Sequence, residues 1–291
     1  MNEFGGKWTE AKIEILVEYA SAYLTIMNKY ANRFGWNLLY FDGFAGSGYI
    51  TKGSDENKKV ILGAAKRILE LNIPRSFDEY YFVEKDTHNA QELKDSISTT
   101  TKKVYVVNED CNTKIHSMGE FLKSTKGKNR RVLAYIDPCG MQLNWNSLKS
   151  LKESNVDAWI LVPTGMGVNR LLKNDGRISE AWIERLETFL GMSQIDILNE
   201  FYNQTEVITL FGEERITTKK EKTIEKSAEL YKNRLNELFK YVTKPYILKN
   251  SSNSTMFHFF MVSNNENAVK IANEIINKYN TWHNQVSNGQ K

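Results

Sequence analysis

Five short apolar runs, each followed by a helical pattern, constrain this chain more than any other feature. The runs are Asn37–Phe41 (NLLYF), Glu79–Val83 (EYYFV), Val104–Val107 (VYVV), Val132–Ile136 (VLAYI) and Ala158–Val162 (AWILV). Their apolar residues are continuous, which suits strands covered on both faces. Between the runs, helical spacing recurs over Ile61–Leu71, Asn89–Ser98, Asn112–Lys123 and Ser147–Ser154. Strands and helices in alternation predict βαβ units, hence an α/β fold on a mostly parallel sheet.

The flanks complete the outline. Thr9–Asn32 carries Ile13, Leu16, Val17, Ala20, Tyr23, Leu24 and Met27 at helical spacing, with Thr9 as N-cap. Ile178–Tyr241 reads as mostly helical around the charged stretch Glu213–Lys226. Tyr246–Leu248 and Phe257–Val262, separated by the polar loop Asn250–Ser254, form an antiparallel hairpin signal. A last helix is expected over Ala268–Tyr279. The reading is one domain over 1–291, with a leading helical segment (1–35) and a helical insertion (178–241) after the fifth strand. A chain of 291 residues is long enough for that.

Composition removes several function classes. The 39 Lys and Arg against 35 Asp and Glu leave a net charge of +4, with Lys and Glu interleaved, so charge alone does not argue for nucleic acid. Two cysteines and four prolines exclude a disulfide framework, a Cys-based zinc and a Pro-rich linker. No apolar run approaches about 18 residues and no signal-peptide pattern opens the chain, so a cytoplasmic protein without a membrane span is expected. His88, His116, His258 and His283 show no H-x-x-x-H or H-x-E spacing, so no metal site is expected.

In open parallel sheets, ligands bind beyond the carboxyl ends of the strands. Asp42-Gly43-Phe44-Ala45-Gly46-Ser47-Gly48 follows the first run. It is neither a P-loop nor a full G-x-G-x-x-G, but its glycines let backbone N–H groups approach a polar ligand. The second run ends in Glu84-Lys85-Asp86, the third in Asn108-Glu109-Asp110-Cys111 and the fourth in Asp137-Pro138-Cys139-Gly140. A carboxylate after the second strand suits two ribose hydroxyls, and one after the third can accept from an exocyclic amine. The competing reading is that these acids only cap the helices that follow.

These residues carry a resemblance. Asp42–Gly48, Glu84, Asp110 and Asp137-Pro138 look like the ordered motifs of class I S-adenosylmethionine-dependent methyltransferases. More narrowly, the chain resembles the three-Cys-motif partner family, methyltransferase-like proteins encoded beside a Cys-motif or radical-SAM-like protein in bacteria and phages. That likeness rests on Trp8, Lys12 and Tyr19, on Tyr40–Gly48, and on Ile136–Gly140 with Trp145, and runs from Trp8 to about Tyr279. It implies a Rossmann-like sheet closed by an antiparallel hairpin, S-adenosylmethionine as cofactor, and methyl transfer to an amine, nucleic-acid bases included. A partner protein of the Cys-motif kind is implied as well.

Residue by residue, the resemblance implies Ala45, Gly46 and Gly48 along the methionine part of the cofactor, with Asp42 holding the loop or the amino group. Glu84 would take the ribose hydroxyls and Asp110 the adenine amine, with Cys111 beside the ring. Lys12, or Lys7 in Gly5-Gly6-Lys7, would reach the cofactor carboxylate. Asp137 and Pro138 would form the catalytic pair that grips the target amine. Cys139 and Gly140 stand where the amino-methyltransferase pattern has a second proline and an aromatic, so Trp145, Met141 or an insertion residue would have to replace that ring. Pro138-Cys139 also has the order of a cytosine-carbon nucleophile, against which stands the commoner role of cysteine as a small hydrophobe.

Arg170, after the fifth run, is a candidate for gripping a substrate phosphate. Arg215, Lys219, Lys220 and Lys222 in the insertion, and Arg130-Arg131, read more simply as a solvated face. Two further functions stay open: a non-catalytic S-adenosylmethionine- or nucleotide-binding module that docks on a partner, and a hydrolase using Asp42, Glu84 and Asp137 around Mg²⁺.

Overall fold

The computed structural model describes residues 7–52, 59–209 and 212–288. Gly5 and Gly6, and the side chains of Lys7 and Trp8, lie outside the described part. Helix α1 (Lys7–Phe34) leads into β1 (Asn37–Asp42), a small hairpin of β2 (Tyr49–Lys52) and β3 (Lys59–Leu62), and α2 (Ala64–Leu69). Then follow β4 (Glu79–Val83), α3 (Thr87–Ser96), β5 (Val104–Val107), α4 (Cys111–Lys123), β6 (Arg130–Ile136), α5 (Trp145–Ser150) and β7 (Val156–Val162). A π-helical turn (Thr164–Val168) and α6 (Asn169–Leu171) precede α7 (Glu180–Leu190) and α8 (Gln194–Phe201). The chain closes with β8 (Tyr202–Thr209), β9 (Gly212–Lys219), α9 (Thr223–Leu238), β10 (Tyr241–Val242), β11 (Tyr246–Lys249), β12 (Thr255–Ser263) and α10 (Glu266–Asn288).

The main sheet runs β5-β4-β1-β6-β7-β12, with β10 and β11 both on the outer edge of β12. β1, β4, β5, β6 and β7 are mutually parallel, and β12 is antiparallel to β7. This is the mostly parallel sheet with a closing antiparallel hairpin that the class I methyltransferase resemblance implies.

The continuous apolar runs follow from burial on both faces. In β1, Leu38 and Tyr40 face α1, α2, α3 and α10, whereas Leu39 and Phe41 face α4, α5 and α7–α9. β6 alternates in the same way, with Leu133 and Tyr135 on the α1 side and Val132, Ala134 and Ile136 on the other. Burying a large side chain on each face contributes about 2 kcal/mol per residue, which holds the layers together. From β1 the chain runs outward through β4 to β5 and then returns to β6 on the other side of β1, with α2 and α3 on the α1 face, α4 to α9 on the opposite face and α10 back against α1. The order therefore reverses between β1 and β6, and a ligand crevice is expected there.

Two expectations need correction. Ile61–Leu71 is split: its first residues close the β2–β3 hairpin and only Ala64–Leu69 are helical. The segment 178–241 is not helical throughout. Residues 202–209 and 212–219 form a two-stranded ribbon, β8 against β9, which takes in the first half of the charged stretch Glu213–Lys226. β-Branched residues explain this, since Thr205, Val207, Ile208, Ile216, Thr217 and Thr218 favour strand.

Candidate cofactor and acceptor site

Three acids stand on one face of three neighbouring strands. Strand alternation sets this, because Tyr40, Phe82 and Tyr135 all face α1 and residues two further on share that face: Asp42, Glu84 and Asp137. In register, Asp42 lies opposite Phe82 of β4 and Tyr135 of β6. Glu84 and Asp137 therefore flank Asp42 one pleat beyond it, at the switch between β1 and β6. Each acid follows an aromatic residue by two places, a repeated signal the motif reading passed over.

Asp42 is 1% exposed, and its Oδ1 accepts the Phe44 N–H at 3.2 Å. Burial pushes its carboxyl up to about 8; the Phe44 N–H opposes this, and the charges of Asp137 and Glu84 add to it. A group held that high is mostly protonated at neutral pH. It anchors the start of the loop through the Phe44 N–H.

The loop itself is shaped by its backbone. Gly43 N–H donates to Tyr135 O at 2.9 Å and Ala45 N–H to Val83 O at 3.0 Å, carrying the β1 ladder past the strand end. Gly46 (φ +61°) and Gly48 (φ +79°) take the left-handed conformation that glycine tolerates. A Cβ added to Gly46 would meet nothing within 4 Å, so the loop presents open backbone there.

Glu84 closes the loop from below. Its Oε2 accepts the Gly46 N–H at 2.8 Å and its Oε1 accepts the Asp86 N–H at 2.8 Å. Each carboxylate oxygen has a second lone pair, so Glu84 retains capacity for two ribose hydroxyls. Asp86 caps α3 through the Asn89 N–H at 2.8 Å. Asp110 caps α4 through the Asn112 N–H at 2.8 Å and takes the Lys85 ammonium at 3.1 Å. Partial burial raises the Asp110 carboxyl, but Lys85 and the Asn112 donor outweigh it and hold it below the ordinary range. The capping reading is thus true of Asp86 and Asp110, while Glu84 and Asp137 cap no helix.

Asp137 is held by two donors on one oxygen. Lys12 Nζ lies 2.5 Å and Tyr135 Oη 2.9 Å from Oδ2. Lys12 projects from α1 and is itself 6% exposed. Tyr135 escaped the motif reading; its place two residues before Asp137 was the available signal. Among the described residues no donor sits on Asp137 Oδ1. Pro138 is buried, Cys139 carries an exposed thiol, and Gly140 takes φ +81°. That backbone favours glycine, which explains the missing aromatic.

The structure also places the remaining candidates. Trp145 is 4% exposed and lies edge-on to Tyr231 (5.6 Å, 85°) under the Arg234 guanidinium (4.7 Å), so it is core between α5 and α9 and offers no ring to a substrate. Cys111 is buried at the start of α4, and a Cβ on Gly43 would come within 2.5 Å of its Sγ, so the thiol packs beneath the loop. The Lys12 ammonium is engaged by Asp137. The ammonium groups of Lys219 and Lys220 do more than face solvent: they donate to the carbonyls of Asn169 and Leu172 (3.0 and 2.8 Å) and of Asn199 and Glu200 (2.7 and 2.9 Å), tethering the β8–β9 ribbon. Arg170 is exposed on α6, and among the described residues no hydrogen bond or ion pair holds it.

Among the described residues no group of three His, Cys, Asp or Glu side chains is arranged to hold a metal ion, and no helix is long and apolar enough to cross a membrane. No family model and no curated protein matches the chain. Among solved structures, it is similar to protein LPL1258 of Legionella pneumophila str. Philadelphia 1, of family-model DUF519. The identity is 15% over 94% of this chain and 93% of that one, with a TM-score of 0.45. Trm1 of Pyrococcus horikoshii, solved with S-adenosyl-L-methionine, shares 10% identity over 84% of this chain and 62% of its own (TM-score 0.34). The glycopeptide N-methyltransferase MtfA, solved with S-adenosyl-L-homocysteine, shares 10% over 81% and 87% (TM-score 0.31).

Proposed function

We propose that this chain is an S-adenosylmethionine-dependent methyltransferase that acts on an amine. The observation that carries the reading is Asp137: both of its donors sit on Oδ2, at the carboxyl end of β6 and beside the strand-order switch. A carboxylate fixed in this way keeps Oδ1 as an acceptor of set direction. It can take an N–H of the acceptor amine and aim the nitrogen lone pair, which is most of what such a reaction asks of a protein.

The loop and Glu84 support the cofactor part. Gly46 presents open backbone, Gly48 turns the loop, and Ala45 leads into it. Glu84 offers its remaining lone pairs to ribose hydroxyls, while Asp110, which caps α4 and pairs with Lys85, would reach an adenine amine only through a lone pair those donors leave free. When bound, the cofactor supplies an electrophilic methyl group on a sulfonium. Lys12 and Tyr135 neutralise and orient Asp137, and the neutral Asp42 keeps a further negative charge out of the crevice.

Calorimetric titration with S-adenosylmethionine, followed by transfer of labelled methyl to bulk RNA, DNA and small amines, tests the reading. Asp137→Ala is expected to abolish transfer and leave cofactor binding in place. Absence of binding heat at high protein concentration overturns it.

The Lys12–Asp137 ion pair and the absent ring at Gly140 favour a second reading, a cofactor-binding module that docks on a three-Cys-motif partner without transferring methyl. Under that reading Asp137→Ala leaves partner binding unchanged and no acceptor is labelled by the wild type.

A further inference from the structure

At the amino ends of β1 and β6, the opposite edge of the sheet from the three acids, two chain segments carry cations and no acid of their own, with Asp78 and Glu79 of the β4 end as the acids beside them. Residues 26–36 include Lys29 and Arg33, and residues 123–131 include Lys123, Lys126, Lys128, Arg130 and Arg131; neither segment holds an Asp or Glu. In a chain with 39 cations and 35 acids this is a local excess. The fold joins the two segments where β1 and β6 begin. Asn37 N–H donates to Asn129 O at 3.0 Å, and Asn129 Nδ2 donates to Gly35 O at 3.3 Å.

The same surface carries a ladder of rings. Tyr30 and Phe34 stack at 6.4 Å and 23°, and Phe34 and Trp36 at 5.0 Å and 26°. Arg131 lies 4.1 Å above the Trp36 ring, Arg33 5.3 Å from Phe34 and Lys29 5.6 Å from Tyr30. Phe34 remains 52% exposed, and Ile26, two helical turns earlier on that face of α1, is also exposed. Arg130 is engaged by Glu79 at 2.9 Å and by Asn37, and Arg131 gives N–H groups to the Lys128 and Arg130 carbonyls, so these two brace the patch. Lys29, Arg33, Lys126 and Lys128 are exposed around it.

We infer that this surface binds single-stranded nucleic acid, with Lys29, Arg33, Lys126 and Lys128 meeting phosphates and the Phe34 ring taking an unpaired base. A row of cations that follows a charged backbone, set beside an exposed ring such as Phe34, is the general chemistry of single-strand binding. Cations laid against ring faces keep their N–H edges turned outward to phosphate oxygens. An acidic protein would match the charge but has no use for a parallel ring ladder. The inference stands apart from methyl transfer, because none of these residues belongs to the crevice.

Fluorescence anisotropy of a labelled single-stranded RNA or DNA of about 20 nucleotides, with the full chain, tests it. Binding is expected to weaken as salt rises. Lys29→Glu with Arg33→Glu is expected to lower affinity about tenfold or more and to flatten the salt slope by about 1.4, since each phosphate contact on a single strand contributes about 0.7. Phe34→Ala is expected to cost about 1–3 kcal/mol, roughly 5- to 150-fold in affinity, by loss of stacking. S-Adenosylmethionine calorimetry on the same variants should match the wild type, so failure here and failure of the methyltransferase reading are read separately. Wild-type protein that binds neither strand, or charge variants that bind as the wild type does, overturn the inference. So does displacement by polyglutamate, or binding to phosphatidylserine vesicles, as strong as binding to RNA.

Discussion

Lys12 places its ammonium 2.5 Å from Oδ2 of Asp137, across 125 residues of sequence. One partner comes from the leading helix and the other from the end of β6, so α1 is part of the site as well as of the core. Tyr19, two helical turns further along α1, repeats the theme deeper down. Its hydroxyl donates to Asp157 Oδ2 at 2.9 Å, while Ser263 donates to Oδ1 at 2.5 Å.

Removing one half of the Lys12–Asp137 pair should cost more than removing both. Lys12→Met leaves a mostly buried carboxylate without its counter-charge, a loss of about 3 kcal/mol. Adding Asp137→Asn should recover a good part of that. Urea unfolding of the two single variants and the double variant reads the coupling, and strict additivity contradicts the pairing.

Stability should fall as pH rises from about 4 toward 8. Burial pushes Asp157 up to about 6 and Asp42 up to about 8. Unfolded carboxyls release their protons near pH 4, so above that the native state binds more protons than the unfolded one. Each raised group then costs up to about 1.4 kcal/mol per pH unit until its own folded value is passed. Both contribute between about pH 4 and 6, and Asp42 alone between about 6 and 8. Asp42→Asn should flatten the upper part of the curve and stabilise the protein at pH 8 relative to wild type. Urea midpoints across the range check the slope, and a flat wild-type profile refutes the assignment.

Gly43 and Cys111 should behave as a steric couple. A Cβ at Gly43 would come within 2.5 Å of Cys111 Sγ, so Gly43→Ala is expected to destabilise by about 2 kcal/mol. Cys111→Ala removes the obstacle, and the double variant should melt above Gly43→Ala alone. If the double variant melts lower than either single one, the loop does not pack as described.

Gly46 separates backbone strain from occupied space. Gly46→Ala carries the left-handed φ of +61° but meets no neighbour, so it should cost only about 1 kcal/mol and leave a cooperative melt. Gly46→Arg should fill the crevice and abolish S-adenosylmethionine heat while circular dichroism stays native. Equal cofactor binding by Gly46→Arg would remove the loop from the proposed site.

Much of the fold was legible in local pattern. Runs such as NLLYF and VLAYI are apolar on both alternating faces, and only a sheet covered by two helix layers buries both. The left-handed Gly46, Gly48 and Gly140 were likewise visible as glycines in loops after strands. The β8–β9 ribbon was not, because its charged residues suggested a solvated helix while its Thr, Val and Ile residues quietly favoured strand. Trp145 misled for a related reason. An indole near an acid motif reads as a platform, yet it is the side chain that most needs burial, and the space between α5 and α9 supplies it.

By itself, the sequence determined the parallel sheet, the loop after β1 and an acid at each of several strand ends, since periodicity and glycine placement are local properties. Only the tertiary structure decided which acids work together. Pleat alternation and strand register put Asp42, Glu84 and Asp137 on one face, while Asp86 and Asp110 turn aside to cap helices. Burial among like charges then left Asp42 mostly neutral, and a lysine 125 positions away took hold of Asp137. Those outcomes depend on distance and desolvation in the assembled fold, quantities that no stretch of sequence carries alone.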